Sequence, residues 1–361
     1  MKGLILSGGH GTRLRPITYT VQKQLIPIAN KPIIFYAIED LVNAGIKDIG
    51  IIVGPNKEQV KATVGNGVRW GEDVSITFIE QDFPGGLAHC VMIAKNFLGN
   101  DKFVMYLGDN MLKGGITKFV EQFKSSDAAI NLMLTRVPNP EIYGVALIDE
   151  QKKVITRLLE KPKNPPTNLS IVGVYGFTKD IFLAMNHIKP SWRNELEITD
   201  AMQWLLENGF KSEYFEVNGW WKDTGTASSL LAANALVLDD QIKIKDGTKE
   251  NLINGNWQGR IRIGDGCDIS DECVLQGPMV IGNGTKIGKN VYIGPYTSIG
   301  NNVSIYKGEI SNSIIMDGVV IDTEKRIINS VIGRGARVTS KGKVPSGNIF
   351  VIGDNSSVEI G

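Results

Sequence analysis

The sequence predicts two domains, a Rossmann-like α/β domain with a mixed sheet over residues 1–238 and a left-handed parallel β-helix over residues 261–361. In the first domain, short apolar runs alternate with helical patterns, which is typical of a sheet covered by helices on both faces. A polar stretch rich in Gly and Asn follows at residues 239–260, and we expect it to be a linker. The β-helix is predicted by aliphatic residues that recur at every sixth position from Ile263.

Length and charge exclude several classes of protein. A chain of 361 residues is long enough for two hydrophobic cores. Lys and Arg number 39 against 38 Asp and Glu, so the net charge of +1 gives no reason to expect a nucleic acid or a membrane as partner. Three cysteines without metal-ligand spacing argue against zinc and against a disulfide framework. The apolar segment Leu4 to Leu6 is too short for a signal peptide or a membrane span, and we expect a cytoplasmic protein.

The first predicted strand, Gly3 to Leu6, runs into a glycine-rich loop. Backbone N–H groups of such a loop can surround phosphate oxygens, and nearby cations add charge. The residues concerned are Gly8, Gly9, Gly11, Arg13 and Lys23. A lone glycine-rich turn is weak evidence, and this one matches neither the dinucleotide nor the Walker fingerprint, because Leu14 stands where GxGxxG needs its third glycine.

Further strands and helices follow in alternation. Asn30 and Pro32 are predicted to cap and begin a helix that ends at Gly45. The remaining elements of the first half are the strands Ile49–Gly54 and ITFIEQ, the helical stretch Leu87–Leu98 and the strand Phe103–Leu107.

Three candidate site residues come directly after predicted strands. They are Gly11, Gln81 and Asp109. Open α/β sheets bind ligands beyond the carboxyl ends of their strands, so we expect these residues to converge on one crevice.

The second half of the domain is predicted to contain more strands than helices. YGVALIDE, VITRLLEKP and SIVGVYGF are predicted strands. ELEITDAMQWLLENG is a predicted amphipathic helix that is capped by Thr199 or Glu197 and ends at Gly209. A further helix is predicted over residues 228–238.

The period of six residues in the C-terminal part belongs to neither a helix nor an alternating strand. Aliphatic residues occupy the positions Ile263, Ile269, Leu275, Ile281, Ile287, Ile293, Ile299 and Ile305. The pattern fits the hexapeptide parallel β-helix, in which three hexads make one triangular coil. It loosens after Ile305 and returns in part at Ile332, Val338, Val344 and Phe350.

The motifs GGxGTRLxP and KQLxP, at residues 8–16 and 23–27, closely resemble the N-terminal signature of sugar-1-phosphate nucleotidylyltransferases. LGDN and W-x-DTGT resemble the two metal-binding motifs of that family. The resemblance covers residues 1–238 and is strongest to the members that make dTDP-glucose and pyrophosphate from dTTP and glucose 1-phosphate. Two alternatives stay open: a UTP-dependent uridylyltransferase of glucose or N-acetylglucosamine 1-phosphate, and a non-catalytic regulatory homologue.

The resemblance implies roles for five charged residues. Asp109 and Asp223 would bind Mg²⁺, Arg13 would stabilise the leaving pyrophosphate and Lys23 the triphosphate, and Lys161 would bind the sugar phosphate. Without the resemblance, a single Asp after a strand is more often a turn or cap residue, and the cations are ordinary surface charges.

The resemblance also implies two sets of binding residues. The sugar-phosphate set, which includes Lys161, is completed by Tyr143, Gly144, Glu160, Ile171 and Glu195. The nucleotide set comprises Gly8, Gly9, Gly11, Thr12, Gln24, Gln81 and Gly86. By its pattern alone Tyr143 is a half-buried core aromatic. KQLxP favours thymidine over uridine, although one methyl group is worth only about 1–3 kcal/mol of discrimination.

The hexapeptide tail raises the question of a second activity, because some relatives with such a tail also transfer acetyl groups. That step needs a general base. The three histidines, His10, His89 and His187, all precede the tail. We therefore expect the tail to serve assembly or allosteric control in a homo-oligomer, whose subunit number the sequence leaves open, and His10 to be a tolerated loop side chain.

Overall fold

The computed structural model describes residues 1–9, 11–241 and 256–340. His10, most of the predicted linker and the repeat positions Val344 and Phe350 lie outside these ranges. The strands of the N-terminal part are β1 Lys2–Ser7, β2 Pro27–Ile28, β3 Lys31–Pro32, β4 Asp48–Val53, β5 Ser75–Glu80, β6 Phe103–Leu107, β7 Asn110–Leu112, β8 Ile130–Arg136, β9 Gly144–Asp149, β10 Val154–Glu160, β11 Leu169–Phe177, β12 Ser212–Glu216 and β13 Trp221–Asp223. Its α-helices are α1 Ile33–Asn43, α2 Lys57–Val64, α3 Leu87–Ile93, α4 Lys95–Leu98, α5 Thr117–Ser125, α6 Ile181–Ala184, α7 Ile198–Glu207 and α8 Ala227–Gln241.

The main sheet is mixed, as predicted. β5, β4, β1 and β6 lie side by side and run parallel. β11 is antiparallel to β6, and it pairs in turn with β8 and β9. The carboxyl ends of the four parallel strands lie along one edge of the sheet, which is where α/β sheets bind ligands. The Rossmann-like α/β prediction is therefore confirmed.

The central strand β1 is buried on both faces, which explains its unbroken apolar run. Leu4 packs in one cluster with Val91 of α3. Ile5, which points the other way, packs with Ile34 and Ile38 of α1. Successive side chains of β1 thus join two different helical layers, and the strand end that leads into the glycine loop is held from both sides.

The predicted start of α1 is wrong at Asn30. Asn30 and Ala29 both have positive φ, 63° and 47°, and they form the two-residue turn between β2 and β3. Positive φ at both central residues is what a type I′ hairpin turn requires, and Asn tolerates it well. The helix begins at Ile33 with Pro32 in the capping position.

Two other helix predictions are refined by the structure. α7 begins at Ile198 with Glu197 as its cap residue, so the second of the two predicted caps is correct and Thr199 lies inside the helix. The predicted helix over residues 87–98 is divided into α3 and α4 at Ala94. None of the helices in the described ranges is long and apolar enough to cross a lipid bilayer.

The described C-terminal strands are parallel, and all but β22 and β24 have only two or three residues. They are β14 Trp257–Gln258, β15 Ile261–Ile263, β16 Asp268–Ile269, β17 Val274–Gln276, β18 Met279–Ile281, β19 Lys286–Ile287, β20 Tyr292–Ile293, β21 Thr297–Ile299, β22 Ser304–Ser311, β23 Ile314–Ile315, β24 Val320–Ile328, β25 Val331–Ile332 and β26 Arg337–Thr339. Ile261 pairs with Met279, which pairs with Thr297, so one coil takes three hexads. These parallel strands fit a β-helix.

The coil shortens after residue 305, where the repeat loosens in the sequence. Ser304 pairs with Val320, two residues nearer than three hexads would place its partner. The hexad aliphatics, among them Ile281 and Ile299, are buried together in the coil interior.

The coil also packs on the N-terminal part. Val280 and Met316 of the coil share a buried cluster with Ile28 of β2 and Leu230 of α8. Asn30 donates a hydrogen bond to the Ile299 carbonyl at 2.6 Å.

Candidate active site

The side chain of Gln22, a residue for which the sequence predicted no role, holds the glycine loop through hydrogen bonds. Its Nε2 donates to the carbonyl oxygens of Ser7 at 2.8 Å and Gly9 at 3.0 Å. It also donates to Oε1 of Gln24 at 2.9 Å. At Gly11, φ is +60° and a Cβ would lie 3.0 Å from Thr18. The loop and the KQLIP segment therefore form one hydrogen-bonded unit.

Two carboxylates meet at the lysine of that segment. The Lys23 ammonium bonds Oδ2 of Asp109 and lies 3.7 Å from Oδ1 of Asp223. The antiparallel pair of β7 and β13 brings the two acids together, because Asp223 is in register with Asn110. The Thr224 N–H donates to the Asp109 carbonyl at 3.0 Å. Asp109 and Asp223, far apart in sequence, thus lie at one site.

The two carboxylates differ in electrostatics. Burial raises the pKa of Asp223, and the neighbouring charge of Asp109 adds to the rise against the opposing Lys23 and Arg13. Burial acts on Asp109 too, but Lys23 and Asn110 outweigh it and hold the pKa of Asp109 below its ordinary value. Within the described ranges, Oδ1 of Asp223 is buried without a hydrogen-bond partner.

This pair of acids could hold a divalent cation. The described residues contain no cluster of three or more His, Cys, Asp or Glu side chains suited to a metal. Mg²⁺ commonly takes one or two protein carboxylates and fills its other positions with water and substrate phosphates. The hard oxygen donors and the unpartnered Oδ1 of Asp223 suit that ion.

Arg13 also reaches this site. A Cβ built on Gly225 would lie 2.8 Å from Nη2 of Arg13 and 3.1 Å from Oδ1 of Asp223. The glycine of the DTGT motif therefore leaves room for the guanidinium beside the carboxylate. Thr12, at the start of the short 3-10 turn that carries Arg13, is exposed.

The predicted sugar residues form a second group. Oε2 of Glu160 accepts a hydrogen bond from the Thr199 hydroxyl at 2.6 Å, and the Lys161 ammonium lies 3.6 Å from Oε1. A Cβ on Gly144 would lie 3.2 Å from Glu160 and 3.1 Å from Ile171. Gly144 thus keeps the space around the Glu160 carboxylate open.

Arg193 joins three acids of this second group, and it was missed by the sequence analysis. Its guanidinium hydrogen-bonds both carboxylate oxygens of the buried Glu197, at 2.7 and 2.9 Å. Nη2 also lies 3.5 Å from Glu160 and 3.3 Å from Glu195. Arg193 stands next to NELEITD, but neither its spacing nor its neighbours distinguish it in the sequence from a surface cation.

Tyrosines lie between the two groups. Tyr143 is half-buried, as its pattern predicted, and packs edge-on against Trp221 at 4.9 Å. Burial and the charge of Asp223 raise its pKa. Burial likewise raises the pKa of Tyr175, with the charges of Glu160 and Asp109 adding to the rise. The nucleotide and sugar groups are therefore neighbours, although Lys161 makes no direct contact with the paired aspartates in the described structure.

The predicted base-binding residues occupy the edge of the loop. Gln81 lies next to Gly8, since a Cβ there would meet its Oε1 at 2.6 Å. Gly86, with φ of +96°, lies against the backbone of Leu196, where a Cβ would come within 2.5 Å of the carbonyl. Gln24 is buried, and its Oε1 accepts the hydrogen bond from Gln22.

A glycine loop with buried lysine and paired aspartates beyond a parallel sheet is a site for phosphate-group chemistry on a nucleotide. Residues 2–240 match the family model described as nucleotidyl transferase, and the chain belongs to this family. Residues 275–360 match the model described as the GMPPB C-terminal domain. The resemblance drawn from the sequence motifs is confirmed.

Two named relatives and one solved structure are similar to the chain. The chain is 44% identical to a glucose-1-phosphate thymidylyltransferase of Streptomyces griseus, over 100% of this chain and 99% of the relative. It is 46% identical to a low-salt glycan biosynthesis nucleotidyltransferase of Haloferax volcanii over the full length of both. A solved structure from Bacillus anthracis, provisionally assigned as a glucose-1-phosphate thymidylyltransferase, matches with a TM-score of 0.61 and 40% identity over 65% of this chain and 94% of its own.

Proposed function

We propose that the chain makes dTDP-glucose and pyrophosphate from dTTP and glucose 1-phosphate. The observation that carries the proposal is the meeting of Asp109 and Asp223 around the Lys23 ammonium beside the glycine loop. Full-length similarity to named thymidylyltransferases supports the choice of substrates.

In this reaction a phosphate oxygen of glucose 1-phosphate attacks the α-phosphorus of dTTP. A new P–O bond forms while the bond from the α-phosphorus to the bridging oxygen of the β-phosphate breaks, and pyrophosphate leaves with that electron pair. The chain contributes position and charge. Arg13 would neutralise the leaving pyrophosphate, and Lys23 would stabilise charge at the α-phosphate.

Asp109 and Asp223 would hold Mg²⁺ for this reaction. The fit rests on the two converging carboxylates and on the buried, unpartnered Oδ1 of Asp223. When bound, the ion would offset negative charge on the phosphates.

The second group of residues would bind glucose 1-phosphate. Lys161 would pair with the phosphate, and Glu160 and Glu195 would accept hydrogen bonds from sugar hydroxyls. Gly144 and Ile171 would shape the pocket, while Tyr143 would border it beside Asp223. On the nucleotide side, the backbone of Gly8, Gly9, Gly11 and Thr12 would bind the triphosphate, and Gln24, Gln81 and Gly86 would surround the base.

The function is tested by pyrophosphate release from four nucleoside triphosphates paired with three sugar 1-phosphates. The pair dTTP and glucose 1-phosphate should give the largest kcat/KM. Asp223→Asn should lower Mg²⁺-dependent turnover by about 1,000-fold, because several kcal/mol of transition-state stabilisation depend on the metal. Calorimetry should show glucose 1-phosphate binding preserved. The matched control is Asp73→Asn, at an exposed ion pair with Lys47; near-normal turnover of the Asp223 variant would contradict the metal role.

We also propose a division of labour along the chain. Residues 1–238 would carry catalysis, residues 239–260 would link the domains, and residues 261–361 would form a left-handed coil that serves assembly or control in a homo-oligomer. Register steps of three hexads support the coil. Light scattering of the full chain during gel filtration tests the assembly: a mass of one chain at micromolar concentration would refute it.

A further inference from the structure

The side-chain amide of Gln81 lies between the glycine loop and α3, and its two polar atoms face different neighbours. Nε2 is 3.2 Å from Nδ1 of His89. Oε1 is on the side of Gly8, where a Cβ would approach it to 2.6 Å. The hydrogen-bond acceptor of Gln81 is therefore directed at the loop, and its donor is directed at the helix.

The Cys90 thiol of α3 also lies near the Gln81 amide. Burial raises the pKa of Cys90 to about 12, and a hydrogen bond with Gln81 opposes the rise. A hydrogen bond lowers a thiol pKa when the partner donates, because a donor stabilises the thiolate. This effect agrees with the placement of the Gln81 NH₂ group on the α3 side, where it contacts His89.

The imidazole of His89 is itself held in place. The Phe83 ring stacks on it with the centroids 4.4 Å apart and the planes at 29°. A Cβ on Gly85 would lie 2.7 Å from Cγ of His89 and 2.8 Å from the Phe83 ring, so the stack needs glycine at that position. The DFPGG turn and the first turn of α3 together fix the direction of Nδ1.

The neutral form of His89 suits this role. Burial lowers its pKa, although the carboxylate of Asp82 opposes the change. A neutral imidazole with its proton on Nε2 accepts a hydrogen bond at Nδ1, whereas a protonated ring only donates. Nδ1 can therefore accept from the Gln81 amide and hold it in one orientation.

We propose that His89 is a positioning residue for base specificity: it turns the carbonyl oxygen of Gln81 toward the nucleobase. That oxygen accepts from the N3–H of thymine or uracil, whereas N3 of cytosine presents a lone pair and is repelled. The inference rests on the proposed function, which puts the base next to Gln81. Neither the motifs nor the family comparison assigns this role to His89.

The test compares kcat/KM for dTTP, UTP and dCTP, each with glucose 1-phosphate, in the full chain. His89→Leu removes the acceptor, so the freed amide can turn and the preference for dTTP over dCTP should fall by about tenfold or more. The dTTP/UTP ratio should not change, because both bases present the same imide. His89→Asn offers an oxygen at the place of Nδ1 and should keep the dTTP/dCTP preference within about threefold.

Two outcomes would overturn the inference: a dTTP/dCTP ratio in His89→Leu equal to that of the wild type, or an equal loss in His89→Asn. If circular dichroism shows that His89→Leu does not fold, Phe83→Ala replaces it, because this variant keeps the imidazole but removes the ring stacked on it. Phe83→Ala should lower the dTTP/dCTP ratio in part. An unchanged ratio would overturn the inference. Failure of the proposed function would look different: the wild type would release no pyrophosphate from dTTP and glucose 1-phosphate. Calorimetric binding of dTDP and dCDP would still report whether His89 sets the base preference.

Discussion

Asn234 of α8 offers a sharp test of how the coil is joined to the catalytic part. Its side chain is fully buried. Oδ1 accepts from the Ala29 N–H at 2.9 Å and the Ser298 hydroxyl at 2.6 Å, and Nδ2 donates to the Tyr296 carbonyl at 3.0 Å. Because the Ala29 N–H only donates and the Tyr296 carbonyl only accepts, the amide has one possible orientation.

Asn234→Asp changes a single donor into an acceptor. An ionised carboxylate would be buried and would face the Tyr296 carbonyl, so the folded pKa of the new acid should lie well above the ordinary value of about 3.9. The protonated acid keeps the donor and acceptor pattern of the amide. The variant should therefore match the wild type below about pH 4 and lose about 1.4 kcal/mol per pH unit above it, until the folded pKa is reached. Between pH 4 and pH 6 the loss is about 3 kcal/mol.

Urea unfolding followed by tryptophan fluorescence, at five pH values from 4 to 8, measures this loss as the difference from the wild type. Asn234→Leu is the matched control. It leaves the Ala29 N–H and the Tyr296 carbonyl without partners and should cost about 2–4 kcal/mol at every pH. A difference between Asn234→Asp and the wild type that stays constant with pH would refute the reasoning, because it would mean that water or a cation reaches the site.

Arg193, Asp40 and Gly8 each support a further prediction. Arg193→Ala leaves the buried Glu197 carboxylate without its ion-pair partner and should lower the free energy of unfolding by about 3 kcal/mol in urea titrations, with Arg193→Lys restoring part of it. Burial raises the pKa of Asp40 to about 7, so the free energy of unfolding of the wild type falls as pH rises from about 4 to 7. Asp40→Asn does not titrate, and its free energy of unfolding should gain up to about 4 kcal/mol relative to the wild type across that range. A difference that does not change with pH would contradict the raised pKa. Gly8→Ala should lower kcat/KM for dTTP about tenfold by displacing Gln81, with unfolding unchanged; equal activity would show that the added Cβ is accommodated.

Elements with a repeating sequence pattern were predicted well, because every repeat makes the same kind of contact in the fold. The sixfold spacing from Ile263 to Ile305 predicted the coil, since each hexad aliphatic fills the same interior. The shorter coil after Ser304 could not be predicted, because which residues β22 and β24 pair is settled by their neighbours in space. Asn30 was misjudged for a related reason: Asn is favoured both at helix caps and at positive φ, and only the pairing of β2 with β3 decides between them.

The candidate site divides in the same way. The meeting of Asp109 and Asp223 could be predicted, since each ends a strand-like run in a recognisable motif. Gln22, Arg193 and His89 could not, because each acts by holding other groups of the site through hydrogen bonds, and none of them belongs to a motif or a periodic pattern in the sequence. A residue that orients another side chain can be identified from the distance between the two side chains, but not from its neighbours in the sequence.

The position of the coil follows from this geometry. The β2–β3 turn comes soon after Lys23, and α8 begins soon after Asp223. The segments that follow these two charged residues therefore both run to the coil. There Ile28 and Leu230 are buried with Val280 and Met316. Removing the coil would expose apolar surface on the two segments that place the charged groups. The packing of the coil therefore stabilises the two segments that follow Lys23 and Asp223.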